Sequence, residues 1–165
     1  MAAPPAGAVV LADGAATAAA GAALAPLLGP GDVILLAGDL GAGKTTLVQA
    51  VVAALGSPTP AASPTFALVH EHRGGALAVP VWHCDLYRID DARELRELGL
   101  DELIDDGGGV VLIEWSERLR EHGRLPPSYL QVTLHGAGDE PRTLALDGAG
   151  RRGQALAAAW RAALA

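Results

Sequence analysis

DVILLA (32–37), GDLGAGKT (38–45) and TTLVQAVVAAL (45–55) follow one another without interruption, and their succession decides the fold. The first is a short, wholly apolar run, the pattern of a strand buried on both faces of a parallel sheet. The third has helical periodicity and stops at Gly56. Between them Gly38-Asp39-Leu40-Gly41-Ala42-Gly43-Lys44-Thr45 fits G-x-x-x-x-G-K-[ST]. Glycines at 38, 41 and 43 let the backbone curl so that its N–H groups converge as an anion nest. The helix that begins there adds about half a positive charge at the same point. Lys44 supplies a compact cation for β- and γ-phosphates, and Thr45 a hydroxyl for a magnesium ion. Of the twelve cationic side chains eleven are arginine, so Lys44 is the only lysine and stands where a guanidinium serves poorly.

Working outward, a second buried strand, VVLIE (110–114), ends in Glu114 after four apolar residues. A carboxylate at the C-terminal end of a parallel strand lies on the ligand side of an α/β sheet, positioned to hold a metal or orient water. Residues 13–28 favour a helix ending near Pro26 and Gly29, and GSPTPAASP (56–64) is a loop by composition. TFALVHEH (65–72) and ALAVPVWHCD (76–85) predict a hairpin turning at Gly74-Gly75, with Pro80 at an edge or bulge. That register sets Thr65 opposite Cys84, His70 opposite Val79 and His72 opposite Leu77. A hydroxyl from Thr65 and the carboxylate of Asp85 then share one end of the hairpin. Residues 91–105 predict one or two short helices, YLQVTLH (129–135) and RTLALD (142–147) a second hairpin, and 151–164 a closing amphipathic helix. The sum is a single α/β domain over 1–165 of P-loop NTPase type. A mixed, mostly parallel sheet with antiparallel hairpins is flanked by helices, and residues 1–10 are read as a flexible N-terminus.

Composition narrows the function. The chain has 165 residues, 50% hydrophobic and 19% charged, enough for a core without disulfides. A formal charge of −7 and 4% aromatic residues argue against direct grip on a nucleic acid by phosphate contacts or base stacking. The first cation is Lys44, so the Ala-rich start lacks the positive region of a secretory signal. No apolar run reaches the roughly 20 residues of a membrane span. A cytoplasmic protein is expected, with no membrane association. The lone Cys84 excludes a disulfide framework and reads as a buried apolar residue. His70 and His72 fall several residues along the hairpin from His83 in the expected register, so no zinc site is predicted from them. Eleven of the nineteen acids lie between Asp90 and Glu121, a candidate face for a basic partner as well as a solvated helical surface.

Beyond the phosphate loop, SPTFALVHE (63–71), HCDLYRI (83–89), ELGLDELI (97–104) and IEWSE (113–117) occur in order. With GDLGAGKTTL (38–47) they make the chain similar to the TsaE family, the P-loop ATPases of bacterial tRNA threonylcarbamoyladenosine biosynthesis. The resemblance runs from about residue 13 to residue 147. It implies ATP and Mg²⁺ as ligands, and work with TsaD-like and TsaB-like partners that install a threonylcarbamoyl group on tRNAs reading ANN codons. ATP hydrolysis then supports turnover of that complex, and tRNA is met only through it. The resemblance implies nucleotide contacts from Gly38, Asp39, Leu40, Gly41, Ala42, Gly43, Lys44, Thr45 and Thr46, with Trp115 close by and Thr17 fitting the family's first helix. It implies metal binding by Thr45 and Glu114, directly or through water, service to the metal or the attacking water by Asp85, and γ-phosphate sensing by the segment around Thr65. Lys44, Asp85 and Glu114 are the expected catalytic residues.

Two other functions use the same loop. A small-molecule kinase needs an acceptor pocket and an arginine-bearing lid, and Arg88, Arg93 and Arg96 are interleaved with acids that favour local pairing instead. A non-hydrolysing nucleotide-binding regulatory module needs only the loop. A GTPase of the usual kind needs an [NT]-K-x-D segment, which a chain whose single lysine is Lys44 does not contain. No glutamine or arginine stands out in the sequence as completing the active site.

Overall fold

The computed structural model describes residues 5–62, 68–139 and 141–165. Strand β2 (Val33–Gly38) is apolar because it runs through the middle of the sheet. It lies parallel to β5 (Val110–Glu114) on one side and parallel to β6 (Tyr129–His135) on the other. Beyond β5 comes β4 (Val81–Asp85), also parallel, and then β3 (Val69–His72), antiparallel at the margin. Beyond β6 come β7 (Arg142–Ala149) and β1 (Val9–Leu11), each antiparallel to its inner neighbour. The order is therefore β1-β7-β6-β2-β5-β4-β3.

Alternation along the strands feeds two cores. Ile34, Leu36, Leu112 and Val132 pack under α1 (Gly14–Leu24), α2 (Lys44–Leu55) and α6 (Gly150–Ala163). Val33, Leu35, Val111 and Ile113 face α3 (Ala92–Glu97), α4 (Leu100–Asp106) and α5 (Glu117–Glu121). Asp13 caps α1 by accepting from the amide of Ala16 at 2.8 Å. The first and last helices are joined where the fully buried Trp160 donates its indole N–H to the carbonyl of Ala20 at 2.9 Å.

Three expectations change. The helix predicted over 13–28 is α-helical only to Leu24, because Pro26 tightens Ala25–Leu27 into a 3₁₀ turn. The 91–105 stretch forms two short helices, within what was expected of it, divided at Gly99, which takes φ +72 and caps the start of α4. Residues 9 and 10, expected to be part of a flexible N-terminus, are paired with Leu144 and Thr143.

The largest change is the register of the first hairpin. Val69, not Thr65, lies opposite Cys84, a shift of four residues that places His70 against His83 and His72 against Val81. The cause is the connection 73–80. Instead of zipping into the ladder, it docks on the end of α2, where Ala76 donates its amide to the carbonyl of Gly56, and Leu77 and Val79 pack on the core. Strand β4 then starts after Pro80, whose carbonyl accepts from Val110. The expectation that His70 and His72 stand far along the strand from His83 is thereby corrected. Among the described residues no group of three or more His, Cys, Asp or Glu side chains is arranged to hold a metal ion. Thr65 lies outside the described residues.

Candidate functional site

The C-terminal ends of β2, β4 and β5 open into one cavity of about 310 Å³. The loop from β2 to α2 forms one wall. Gly38 begins it at φ +133, where a Cβ would fall 2.0 Å from the carbonyl oxygen of Leu134 on the neighbouring strand. Only glycine fits at that crossing. The carboxylate of Glu117, from the start of α5, accepts the amide of Gly38 at 3.0 Å and fixes the loop's first peptide.

Lys44 is buried at the start of α2. Its Nζ donates to the carbonyls of Gly38 and Asp39, both at 2.8 Å, and sits 4.1 Å from the centre of the Trp115 ring. Burial lowers its pKa from the usual lysine value, while Glu117, Glu114, Asp39 and Asp85 act in the opposite direction. Trp115 is the one non-glycine among the described residues in the left-handed region, at φ +57. That backbone turn folds its ring back over Lys44 and beside Tyr87, with ring centres 4.8 Å apart.

Opposite the loop, Asp85 and Glu114 are directly paired across the β4–β5 ladder and both are buried. The hydroxyl of Thr45 donates to Oε1 of Glu114 at 2.9 Å, and Nε2–H of His83 donates to Oε2 at 2.5 Å. Glu114 is thus held from both oxygens. Asp85 accepts the amide of Tyr87 at 2.9 Å. Burial raises its pKa above the usual carboxylate value, the Tyr87 amide opposes this, and Glu114 adds to it. Two carboxylates and a hydroxyl beside a nest of amides form a hard-oxygen donor set, which fits a magnesium ion accompanying a polyphosphate.

The cavity is lined by Leu40, Gly41, Gly43, Lys44, Thr45, Thr46, Asp85, Glu114 and Trp115, all of them expected from the sequence. Gly38 and Asp39 lie behind, offering carbonyls to Lys44, and Ala42 is buried in the back of the loop. Thr17 does not line the cavity. It is fully buried, and its hydroxyl bonds to the carbonyl of Asp13 at 3.1 Å. Its methyl lies beneath the loop, 3.4 Å from where a Cβ on Gly43 would stand.

Sequence reasoning passed over four side chains here. His83, Tyr87 and Glu117 fall within the quoted stretches HCDLYRI and IEWSE, so their signal was present. Arg142 had none. It lines the cavity from the start of β7, about a hundred residues beyond the loop it touches.

Cys84 behaves as its burial dictates. It is fully buried between Asp85 and His83, and desolvation, with help from Asp85, pushes its thiol up to about 12. A thiol reagent at about pH 8 is expected to leave the folded protein unlabelled and to modify one thiol per chain after denaturation. Rapid labelling of the folded form would contradict this placement.

A buried strand, an amide-lined loop closed by a lysine helix, and carboxylates at the ends of two neighbouring strands define a P-loop nucleotide-binding protein. The profile of the family described as threonylcarbamoyl adenosine biosynthesis protein TsaE matches residues 11–144, and the chain belongs to that family. Its relatives carry the name tRNA threonylcarbamoyladenosine biosynthesis protein TsaE. That of Bacillus subtilis is 42% identical over 127 residues, covering 77% of this chain and 76% of its own. That of a Nostoc species is 44% identical over 129 residues, covering 76% of each. The crystal structure of YdiB from Bacillus subtilis superposes with a TM-score of 0.74 at 33% identity, covering 93% of this chain and 92% of YdiB. Among the described residues no helix is long and apolar enough to cross a membrane.

Proposed function

We propose that this chain is the ATP-binding and ATP-hydrolysing component of the tRNA threonylcarbamoyladenosine machinery. In this role it drives turnover of a complex of TsaD-like and TsaB-like partners in the cytoplasm, and tRNA is contacted by those partners. The observation that carries the reading is the convergence of Thr45, Glu114 and Asp85 on the amide-lined loop, with Thr45 and Glu114 already hydrogen-bonded at 2.9 Å.

The loop amides and Lys44 bind the phosphates, and Lys44 exchanges its two backbone carbonyls for phosphate oxygens. Thr45 and Glu114 hold the magnesium, which when bound neutralises charge on the phosphates. Asp85 serves the metal or orients the attacking water. Trp115 packs beside the nucleotide, and the segment around Thr65 responds to the γ-phosphate.

The isolated chain is expected to hydrolyse ATP slowly. The one arginine in the cavity wall is engaged by backbone carbonyls, and groups supplied by a partner are worth about 10³–10⁵ in rate in other phosphoryl-transfer systems. The test is phosphate release by the chain alone and after addition of both partners and tRNA. A strong increase with partners, with no phosphorylated small molecule formed, is the expected result. Turnover at tens per second by the chain alone would overturn partner dependence, and transfer of the phosphoryl group to a small acceptor would establish a kinase.

A further inference from the structure

Arg142 is a buried cation in an unusual setting. Only 6% of its surface is exposed, and among the described residues no carboxylate lies within ion-pair distance of it. Its Nη1 donates to the carbonyl of Ala42 at 3.2 Å and its Nη2 to the carbonyl of Gly138 at 2.7 Å. Among the described residues its Nε, also buried, has no hydrogen-bond partner. The backbone beneath it is fixed, because Arg142 pairs with Leu11 of β1.

A buried guanidinium needs its donors paired, and the carbonyls of Ala42 and Gly138 take two of them. The cavity that Arg142 lines is the phosphate hollow itself. The contact with Ala42 also has a geometric consequence. In a planar trans peptide the C=O and the following N–H point in opposite directions. Drawing the carbonyl of Ala42 out toward the guanidinium therefore turns the amide of Gly43 away from it, so Arg142 sets the direction of that loop amide. Gly43 is at φ +103, and a Cβ there would stand 2.8 Å from Nη1 of Arg142, so glycine and arginine are matched at this point.

We infer that Arg142 is a positioning residue of the nucleotide site: its bond to the Ala42 carbonyl locks the Ala42–Gly43 peptide in the phosphate-receiving orientation. The inference rests on the nucleotide-binding reading above and extends it to the C-terminal half of the chain.

Arg142→Met removes the charge and both hydrogen bonds while keeping bulk, and Arg142→Lys keeps the charge but cannot span both carbonyls. Titration calorimetry with Mg·ADP and Mg·ATP is expected to show affinity reduced about ten- to a hundred-fold in Arg142→Met, and by a smaller factor in Arg142→Lys. The ¹H–¹⁵N spectrum supplies a readout that general destabilisation does not move. In the parent chain the Gly43 amide shifts strongly when Mg·ADP is added, and in Arg142→Met that shift is lost while resonances far from the loop are retained. Should Arg142→Met not fold, the Arg142→Lys comparison alone decides. Variants that bind within about twofold of the parent, with the Gly43 shift intact, overturn the inference while leaving the nucleotide reading in place. Absence of Mg·ADP and Mg·ATP binding in the parent chain itself rejects both.

Discussion

Lys44→Ala is expected to leave a folded protein that binds ATP at least about a hundred-fold more weakly. In this structure the ammonium is saturated by carbonyls of its own loop, Gly38 and Asp39, and by the face of Trp115. None of these belongs to a distant element whose packing depends on it, apart from the Trp115 ring. On nucleotide binding the same ammonium has phosphate oxygens in reach, and charge-assisted hydrogen bonds contribute about 1.5–3 kcal/mol each. Two such bonds correspond to two or more orders of magnitude in affinity, at about 1.4 kcal/mol per tenfold. Calorimetry with Mg·ATP measures the loss, and a melting curve on the free protein checks the fold. ATP affinity within tenfold of the parent would remove Lys44 from its assigned role.

Glu114→Gln and Asp85→Asn are expected to do the reverse, keeping ATP affinity within a few-fold and lowering partner-stimulated hydrolysis about 10²–10³-fold. Both side chains are buried, adjacent across the β4–β5 ladder, and line the cavity beside the phosphate loop. The amide replacements preserve shape. Glutamine keeps only one acceptor oxygen where Glu114 now serves both Thr45 and His83, so metal positioning suffers before the phosphate nest does. The paired measurements are equilibrium binding and single-turnover hydrolysis with the partners present. A loss of ATP binding equal to that of Lys44→Ala in either variant would contradict the division of labour drawn here.

Much of this site was legible because its signals are local. The phosphate loop needs glycines, a lysine and a helix start within eight consecutive residues, and VVLIE announces both a buried strand and the carboxylate at its end. The β2–β5 pairing that unites them follows from two apolar runs of matching character. What escaped was decided by tertiary contacts. The hairpin register was read from Gly74-Gly75 as a tight turn, yet Ala76 finds its partner on Gly56 of another element, so the ladder closes four residues further along. The pairing of Val9 and Val10 depends on an edge that β7 provides, invisible in a stretch dominated by Ala, Gly and Pro. Arg142 carries no motif at all, and its significance arises only when β7 is laid beside the loop. Thr17, expected at the nucleotide by resemblance, lies buried under the loop with its hydroxyl on the carbonyl of Asp13.

The position of β2 has a bearing on how the protein is made. This central strand and its loop are synthesised before both strands that flank it, β5 and β6. A growing polypeptide that has emerged from the ribosome only as far as α2 holds every residue of the phosphate motif without the neighbours that hold the strand in place. Completion of the sheet waits on pairings distant in sequence, which form slowly and leave apolar edges open in the interval. Competence to bind nucleotide therefore waits until the β6–β7 hairpin has closed against a strand made before it.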